Sequence, residues 1–140
     1  MSDGRIWSRA ETHPTATDPR LRGRTYAISF DRVWTVSLGL AEGRLPRWRV
    51  LHSDDEKGTI LAEVTSAIWD RPSEVRIRIG LDHYGLTRVD LQSALKSVVG
   101  FGTNARRLGR FLRALDSELA AKPTQILDAT RPPRLTTSSG

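Results

Sequence analysis

The sequence contains no cysteine, which excludes disulfide bonds, thiolate metal sites and cysteine nucleophiles. No apolar run approaches the ~20 residues that a membrane-spanning helix needs. The polar first twenty residues also lack the apolar core of a signal peptide. We therefore expect a cytoplasmic protein, which can still lie peripherally at the cytoplasmic face of a membrane. A chain of 140 residues predicts one domain with a core large enough to need no covalent staple.

Lysine is scarce, since three lysines accompany nineteen arginines, and the formal net charge is +6 with a pI near 10.7. A basic balance of this kind favours nucleic acid, anionic lipid or an acidic protein surface as the partner. The alternative interpretation is that the arginine content reflects only a GC-rich genome. Composition alone leaves both interpretations open.

Motifs for catalysis and for metal or cofactor binding are also lacking. The acidic residues of "DDEKG" (54–58) fall in a hairpin loop, where a solvated turn is expected. His13, His52 and His83 are far apart, and none has a partner at metal-ligand spacing. Neither a phosphate-binding glycine loop nor a nucleophile elbow is present. The sequence therefore predicts a protein that is not an enzyme and that binds no cofactor and no metal.

The hydrophobic periodicity predicts a mixture of strands and helices. The run "SEVRIRIGL" alternates strictly between apolar and polar residues, as a half-buried strand does, whereas "DRVWTVSLGLAEG" has helical spacing. The predicted strands are residues 24–30, 47–53, 59–66, 73–81 and 86–95, and the predicted helices are residues 31–43 and a segment from a cap at Thr103 or Asn104 to about Ala121. The order strand, helix, four strands, helix predicts an α+β fold. In it, an antiparallel four- to five-stranded sheet carries two helices packed on one face.

The domain is expected to span residues 24–121, between an extended N-terminal arm (1–23) and an irregular C-terminal tail (122–140). The sheet's other face is expected to be a solvated surface of mixed charge. Its predicted residues are Glu63, Arg76, Arg78, Arg88 and Asp90.

Several separated motifs resemble one bacterial family. The runs "RGRTYAISFDRVWTVSLGLAEGRLPRWRVLHSDDEKGTILAE", "GLTRVDLQSA" and "FGTNARRLGRFLRALDSEL", with the earlier "IWSRA", are similar to the family called domain of unknown function 1499. The resemblance covers about Ile6 to Leu119, and it implies no established activity, although many members sit near membranes. Gly102, Asn104 and Arg107 match the family's most distinctive stretch. Residues 93–100 depart from its charged pattern, which fits either ordinary drift or recruitment as a structural component.

The helix near the C-terminus carries one apolar and one basic stripe. The basic stripe consists of Arg106, Arg107, Arg110 and Arg113. Facing a protein, arginines form bidentate pairs with carboxylates, and near an anionic leaflet each contributes on the order of 1 kcal/mol. The alternative is a solvated helix face, partly neutralised by Asp116 and Glu118.

The four tryptophans are the main aromatic resource. Trp34 and Trp48 fit core faces, while Trp69, in the "AIWDRPS" segment, is a candidate exposed anchor for a partner. His52 alternates with Trp48 and Val50, so we expect it on the same face, packed or at the rim.

The favoured hypothesis is a non-enzymatic binding or scaffold domain, an accessory subunit docked on a larger complex, with a membrane-protein complex as one candidate. The N-terminal arm and the C-terminal tail would wrap the partner, and the arginine helix would contact acidic protein or lipid headgroups. The first alternative is a carrier of a small apolar ligand or lipid between sheet and helices, lined by Trp34 and Trp48 with His52 at the mouth. The second is nonspecific nucleic-acid binding, although no aromatic residue interleaves the basic stripe as a base-stacking platform requires.

Overall fold

The computed structural model describes residues 7–13, 22–65, 72–96 and 101–127. Within these ranges the chain forms one antiparallel sheet and two α-helices. The strands are β1 (Trp7–Glu11), β2 (Arg24–Tyr26), β3 (Trp48–Asp54), β4 (Thr59–Val64), β5 (Ser73–Leu81), β6 (Thr87–Lys96) and β7 (Ile126–Leu127). The helices are α1 (Phe30–Gly39), which continues into a π-helical turn (Leu40–Arg44), and α2 (Phe101–Glu118), which is followed by a 3₁₀ turn (Pro123–Gln125).

The sheet order is β3-β4-β5-β6-β2-β7, and β1 also pairs with β6. β1 and β2 lie along successive halves of β6: Glu11 faces Gln92, whereas Arg24 faces Val89. All the pairings are antiparallel, which confirms the predicted α+β class. The predicted strand count is too low, because β1 and β7 lie in the segments expected to be an arm and a tail. Both are short strands that pair with residues distant in sequence.

One face of the sheet is covered by the helices. The alternation seen in the sequence places Val75, Ile77 and Ile79 of β5 in the core, next to Ile60 of β4 and Leu91 of β6. The apolar stripe of α2 fills the space above them and is almost completely inaccessible to solvent. It consists of Leu108, Phe111, Leu112 and Leu115, and Leu119 continues it just past the end of the helix. Because both layers are apolar on their facing sides, their burial supplies the main stabilisation of the fold.

The helix boundaries follow local hydrogen bonding. Ser29 caps α1, since its hydroxyl accepts a bond from the backbone of Arg32 (3.4 Å), and β2 therefore ends earlier than the predicted strand. At the end of α2, Ala120 adopts a left-handed conformation with φ of +50°. The backbone N–H groups of Ala120 and Ala121 then donate to the backbone carbonyls of Ser117 and Asp116, respectively (both 3.0 Å). This turn ends α2 about three residues before the predicted boundary, without the glycine that usually signals it.

The hairpin between β3 and β4 contains an irregularity that decides which way its side chains face. Val50 faces Ala62, but His52 faces Leu61, so Leu51 is an extra residue in β3. A bulge of this kind reverses the alternation of side chains along a strand. The prediction that His52 shares a face with Trp48 and Val50 is therefore wrong, since His52 lies on the face that the helices leave uncovered.

Candidate functional site

The exposed face of α2 is the first candidate site. Arg106, Arg110 and Arg113 are all exposed there, and we call these three residues the basic helix surface. None of the three guanidinium groups has a hydrogen-bond or ion-pair partner among the residues that the structure describes. The surface therefore presents three unpaired positive charges on about two turns of helix.

Arg107 differs from the other three arginines of the predicted stripe. Its side chain is only partly exposed, and burial lowers the pKa of its guanidinium from the usual value. It also interacts with the surrounding protein. Arg107 therefore lies at the edge of the basic helix surface and belongs partly to the packed layer.

The two acidic residues of α2 are engaged elsewhere. Asp116 accepts hydrogen bonds from Arg24 Nε (3.1 Å) and from the hydroxyl of Tyr26 (2.5 Å). Glu118 forms an ion pair with Arg44 in the turn after α1 (2.8 Å). In the alternative interpretation these two carboxylates partly neutralise the arginine stripe, but they connect α2 to β2 and to the end of α1 instead.

Tyr26 is buried beneath this connection. Burial raises the pKa of its phenol well above the usual value, and the hydrogen bond to Asp116 and the charge of that carboxylate raise it further. Tyr26 therefore acts as a permanent donor to Asp116, and Asp116 is held beside β2 by one neutral and one charged donor.

The second candidate site lies on the uncovered face of the sheet, which we call the open face. A groove of about 880 Å³ crosses β3, β4, β5, β6 and the end of β1 there. Its charged lining residues are Glu11, Lys57, Arg76, Arg78 and Asp90, and its other polar lining residues are Thr12, His13, His52, Thr59 and Gln92.

The polar groups at one side of the groove form a closed network. Arg88 donates to both carboxylate oxygens of Asp90 (2.7 Å and 3.1 Å), and the hydroxyl of Thr12 donates to Oδ1 of the same carboxylate (2.8 Å). The Thr12 hydroxyl also accepts a bond from the backbone of Leu91 (2.8 Å). This network fixes the chain after β1 against β6.

Arg76 and Arg78 take no part in that network. Both are exposed, and in the described ranges neither guanidinium has a hydrogen-bond or ion-pair partner. Arg78 lies directly opposite Asp90, whose two oxygens already accept bonds from Arg88 and Thr12. The groove therefore holds two adjacent positive charges without a counter-ion.

The residues predicted for an apolar ligand cavity do not converge. Trp34 is half-buried and stacks on Phe30 (ring centroids 6.0 Å apart), whereas Trp48 is buried and stacks on Phe111 (5.1 Å). His52 lies on the opposite side of the sheet and lines the groove. Trp69 and residues 97–100 of the diverged stretch lie outside the described residues.

The groove could not have been recognised as a site from the sequence. The alternation along β5 and β6 predicts that Arg76, Arg78, Arg88 and Asp90 face away from the helices, as they do. The contribution of His52 depends on the bulge, and that of Thr12 depends on the pairing of β1 with β6. Neither feature has a local sequence signal of its own.

Two further findings concern the described residues alone. No three histidine, aspartate or glutamate side chains in that part of the chain lie together as a metal ion would require. Neither described helix combines the length and the apolar character needed to cross a membrane.

No family model matches the chain, and no curated protein matches it. Among solved structures, it is similar to CalU16 from Micromonospora echinospora. The solution NMR structure of CalU16 is 18% identical, with 89% of this chain and 82% of CalU16 covered and a TM-score of 0.42. The crystal structure of CalU16 is also 18% identical, with 82% and 94% covered and a TM-score of 0.38. The resemblance to domain of unknown function 1499 stays a prediction.

Proposed function

We propose that this protein is a non-enzymatic binding domain, an accessory subunit that docks on a larger complex through the basic helix surface. The observation that carries the proposal is the set of three exposed, unpaired guanidinium groups on α2, in a part of the structure where Asp116 and Glu118 bond to other residues. A solvated face neutralised by its own acidic residues would not have this arrangement.

The chemistry of the surface favours an acidic protein as the partner. Arginine binds carboxylates through two parallel hydrogen bonds, and it loses less hydration than lysine when it enters an interface. The guanidinium groups of Arg106, Arg110 and Arg113 lie on a rigid helix whose other side is packed in the core. Such preorganisation lowers the entropic cost of association. An anionic membrane is the competing surface, and the experiment below separates the two.

The test is charge reversal on α2. We expect the protein, purified gently from its own cells, to show a native mass well above 15.6 kDa with a second polypeptide in fixed ratio. The variant with Arg106→Glu, Arg110→Glu and Arg113→Glu should run as a monomer. Its circular dichroism and thermal unfolding should match those of the parent, because the three side chains are exposed and form no hydrogen bond or ion pair within the described ranges.

The control is an equal charge reversal on the open face. The variant with Lys57→Glu, Arg76→Glu and Arg78→Glu has the same net charge and should retain the complex. Loss of the complex in both variants would show that binding depends on the total charge of the protein and not on the basic helix surface, which would contradict the proposal. Retention in both would contradict it as well. A wild-type monomer that floats with anionic vesicles would assign the basic helix surface to a membrane instead.

A further inference from the structure

The register of the sheet arranges the open-face groove in two rows that run across the strands. The first row contains His52, Leu61, Arg76, Gln92 and Glu11, and the second contains Asp54, Thr59, Arg78 and Asp90. Side chains two residues apart on one strand project from the same face about 7 Å apart, and neighbouring strands are about 4.8 Å apart. The side chains of Arg76 and Arg78 are therefore long enough to reach one common anion above β5.

No ion pair neutralises the two arginines, since even Glu74, two residues before Arg76 on the same face, forms none within the described ranges. Leu61 and Gln92 flank Arg76 in its row and carry no charge, while Thr59 and Asp90 flank Arg78. The carboxylate of Asp90 already accepts three hydrogen bonds from Arg88 and Thr12. Two adjacent guanidinium groups without a counter-ion match a dianion better than a single carboxylate, because each can bond two oxygens of a tetrahedral phosphate.

The remainder of the groove indicates what the anion is attached to. Its volume of about 880 Å³ is within the range of small-molecule sites, roughly 300–1,000 Å³, and far exceeds what one phosphate fills. Leu61 is the one large apolar side chain in the two rows, whereas Gln92 and Glu11 offer an amide and a carboxylate. Amides and carboxylates hydrogen-bond to hydroxyl groups. Because Ile60, Ile77 and Leu91 of the same strands also line the groove, the lining offers both apolar surface and hydroxyl-binding groups, which suits the carbon skeleton and the hydroxyl groups of a sugar or polyol.

From this arrangement we propose that the open-face groove binds a small phosphate monoester that carries hydroxyl groups, such as a phosphorylated sugar or polyol. The phosphate lies between Arg76 and Arg78, with Lys57 at the nearby rim. The hydroxyl-bearing part extends across Gln92 towards Glu11, whose negative charge keeps the phosphate at the opposite end. The groove and the basic helix surface lie on opposite faces of the molecule, so this site does not depend on the proposed docking function.

Titration of the full ¹⁵N-labelled chain with glucose 6-phosphate, inorganic phosphate and glucose tests the site. We expect glucose 6-phosphate to shift amide signals of β4, β5 and β6 with a saturable curve, inorganic phosphate to shift a subset more weakly, and glucose alone to bind least. The variant with Arg76→Gln and Arg78→Gln should bind glucose 6-phosphate at least about tenfold more weakly. That factor corresponds to the loss of about one charge-assisted hydrogen bond.

The matched control places the same change on the other face. Arg110→Gln with Arg113→Gln removes the same charge and should leave the affinity for glucose 6-phosphate unchanged. Equal weakening in the two double variants, or shifts outside the groove, would overturn the proposal, since binding would then be nonspecific attraction. Absence of saturable binding would also overturn it, and affinity for glucose 6-phosphate no higher than for phosphate would overturn the hydroxyl-bearing ligand. None of these outcomes tests the docking proposal, because the docking experiment measures the native mass of the complex that forms through the basic helix surface.

Discussion

On β5, neighbouring side chains enter two different environments. Ile77 lies beneath the helices with almost no contact with solvent, while Arg76 and Arg78 project from the open face and are exposed. On the covered face the described carboxylate of Asp116 is matched to donors that join layers, Arg24 and Tyr26. On the open face the carboxylate of Asp90 bonds to Arg88 and Thr12, whereas the neighbouring Arg76 and Arg78 do not take part in this network.

The two faces contribute differently to the stability of the fold. The covered face gains free energy from apolar burial, which is insensitive to the exact partner of each side chain. An exposed, unpaired guanidinium adds little to folding, since water solvates it well and surface ion pairs are worth about 0–1 kcal/mol. The unpaired arginines of both the groove and the basic helix surface are therefore not explained by stability, and our two proposals assign them to binding.

The largest expected change in the free energy of unfolding comes from comparing two substitutions on β5, one on each face of the sheet. Ile77→Ala should lower the free energy of unfolding by about 2–5 kcal/mol, because it leaves a cavity under α2. Arg78→Ala, one residue away, should change it by less than about 0.5 kcal/mol. Urea unfolding followed by circular dichroism measures both values. A cost for Arg78→Ala comparable to that for Ile77→Ala would show that the open face is structural.

The sequence allowed the covered face to be predicted more fully than the open face. The period of two in β5 and the apolar stripe of α2 are local signals, and Ile77 and Phe111 are buried as their spacing requires. The bulge at Leu51 and the pairing of β1 with β6 depend on contacts between distant segments. His52 and Thr12 were therefore not recognisable as residues of the groove.

The basic helix surface was predicted correctly in its exposed residues but not in its surroundings. Helical spacing placed Arg106, Arg110 and Arg113 together, whereas the partners of Asp116 and Glu118 follow from how α2 lies against β2 and α1. No periodicity within one helix contains that information.

The second prediction concerns the hydrogen bond that joins the two layers at Asp116. Tyr26→Phe should cost about 1.5–2 kcal/mol at pH 8, since a buried bond to a charged acceptor is lost. Folding raises the pKa of this phenol above its unfolded value near 10. Its contribution is therefore full below about pH 10 and declines as the pH rises further. At pH 11 the advantage of the wild type over Tyr26→Phe should be smaller by about 1.4 kcal/mol.

The control for this pH dependence is the same substitution at Tyr84. That side chain is exposed, and its hydroxyl has no hydrogen-bond partner among the described residues. Tyr84→Phe should change the free energy of unfolding by less than about 0.5 kcal/mol at either pH. If the difference in the free energy of unfolding between the wild type and Tyr26→Phe is the same at pH 8 and pH 11, the proposal that Tyr26 is a buried, protonated donor is contradicted.

The smallest expected effect lies at the end of the helix that covers the sheet. Ala120 has φ of +50°, a conformation in which its Cβ approaches the following carbonyl group and which glycine adopts without that penalty. Ala120→Gly should therefore raise the free energy of unfolding by about 0.5–1 kcal/mol, although glycine also gains more freedom in the unfolded chain. Ala114→Gly, inside α2, should instead lower it by about 1 kcal/mol or more. Thermal unfolding of the two variants gives opposite shifts if α2 ends where its hydrogen bonds indicate. A loss of stability in both would mean that the helix continues through Ala120, and that the position of α2 over the sheet is set by apolar packing without this turn.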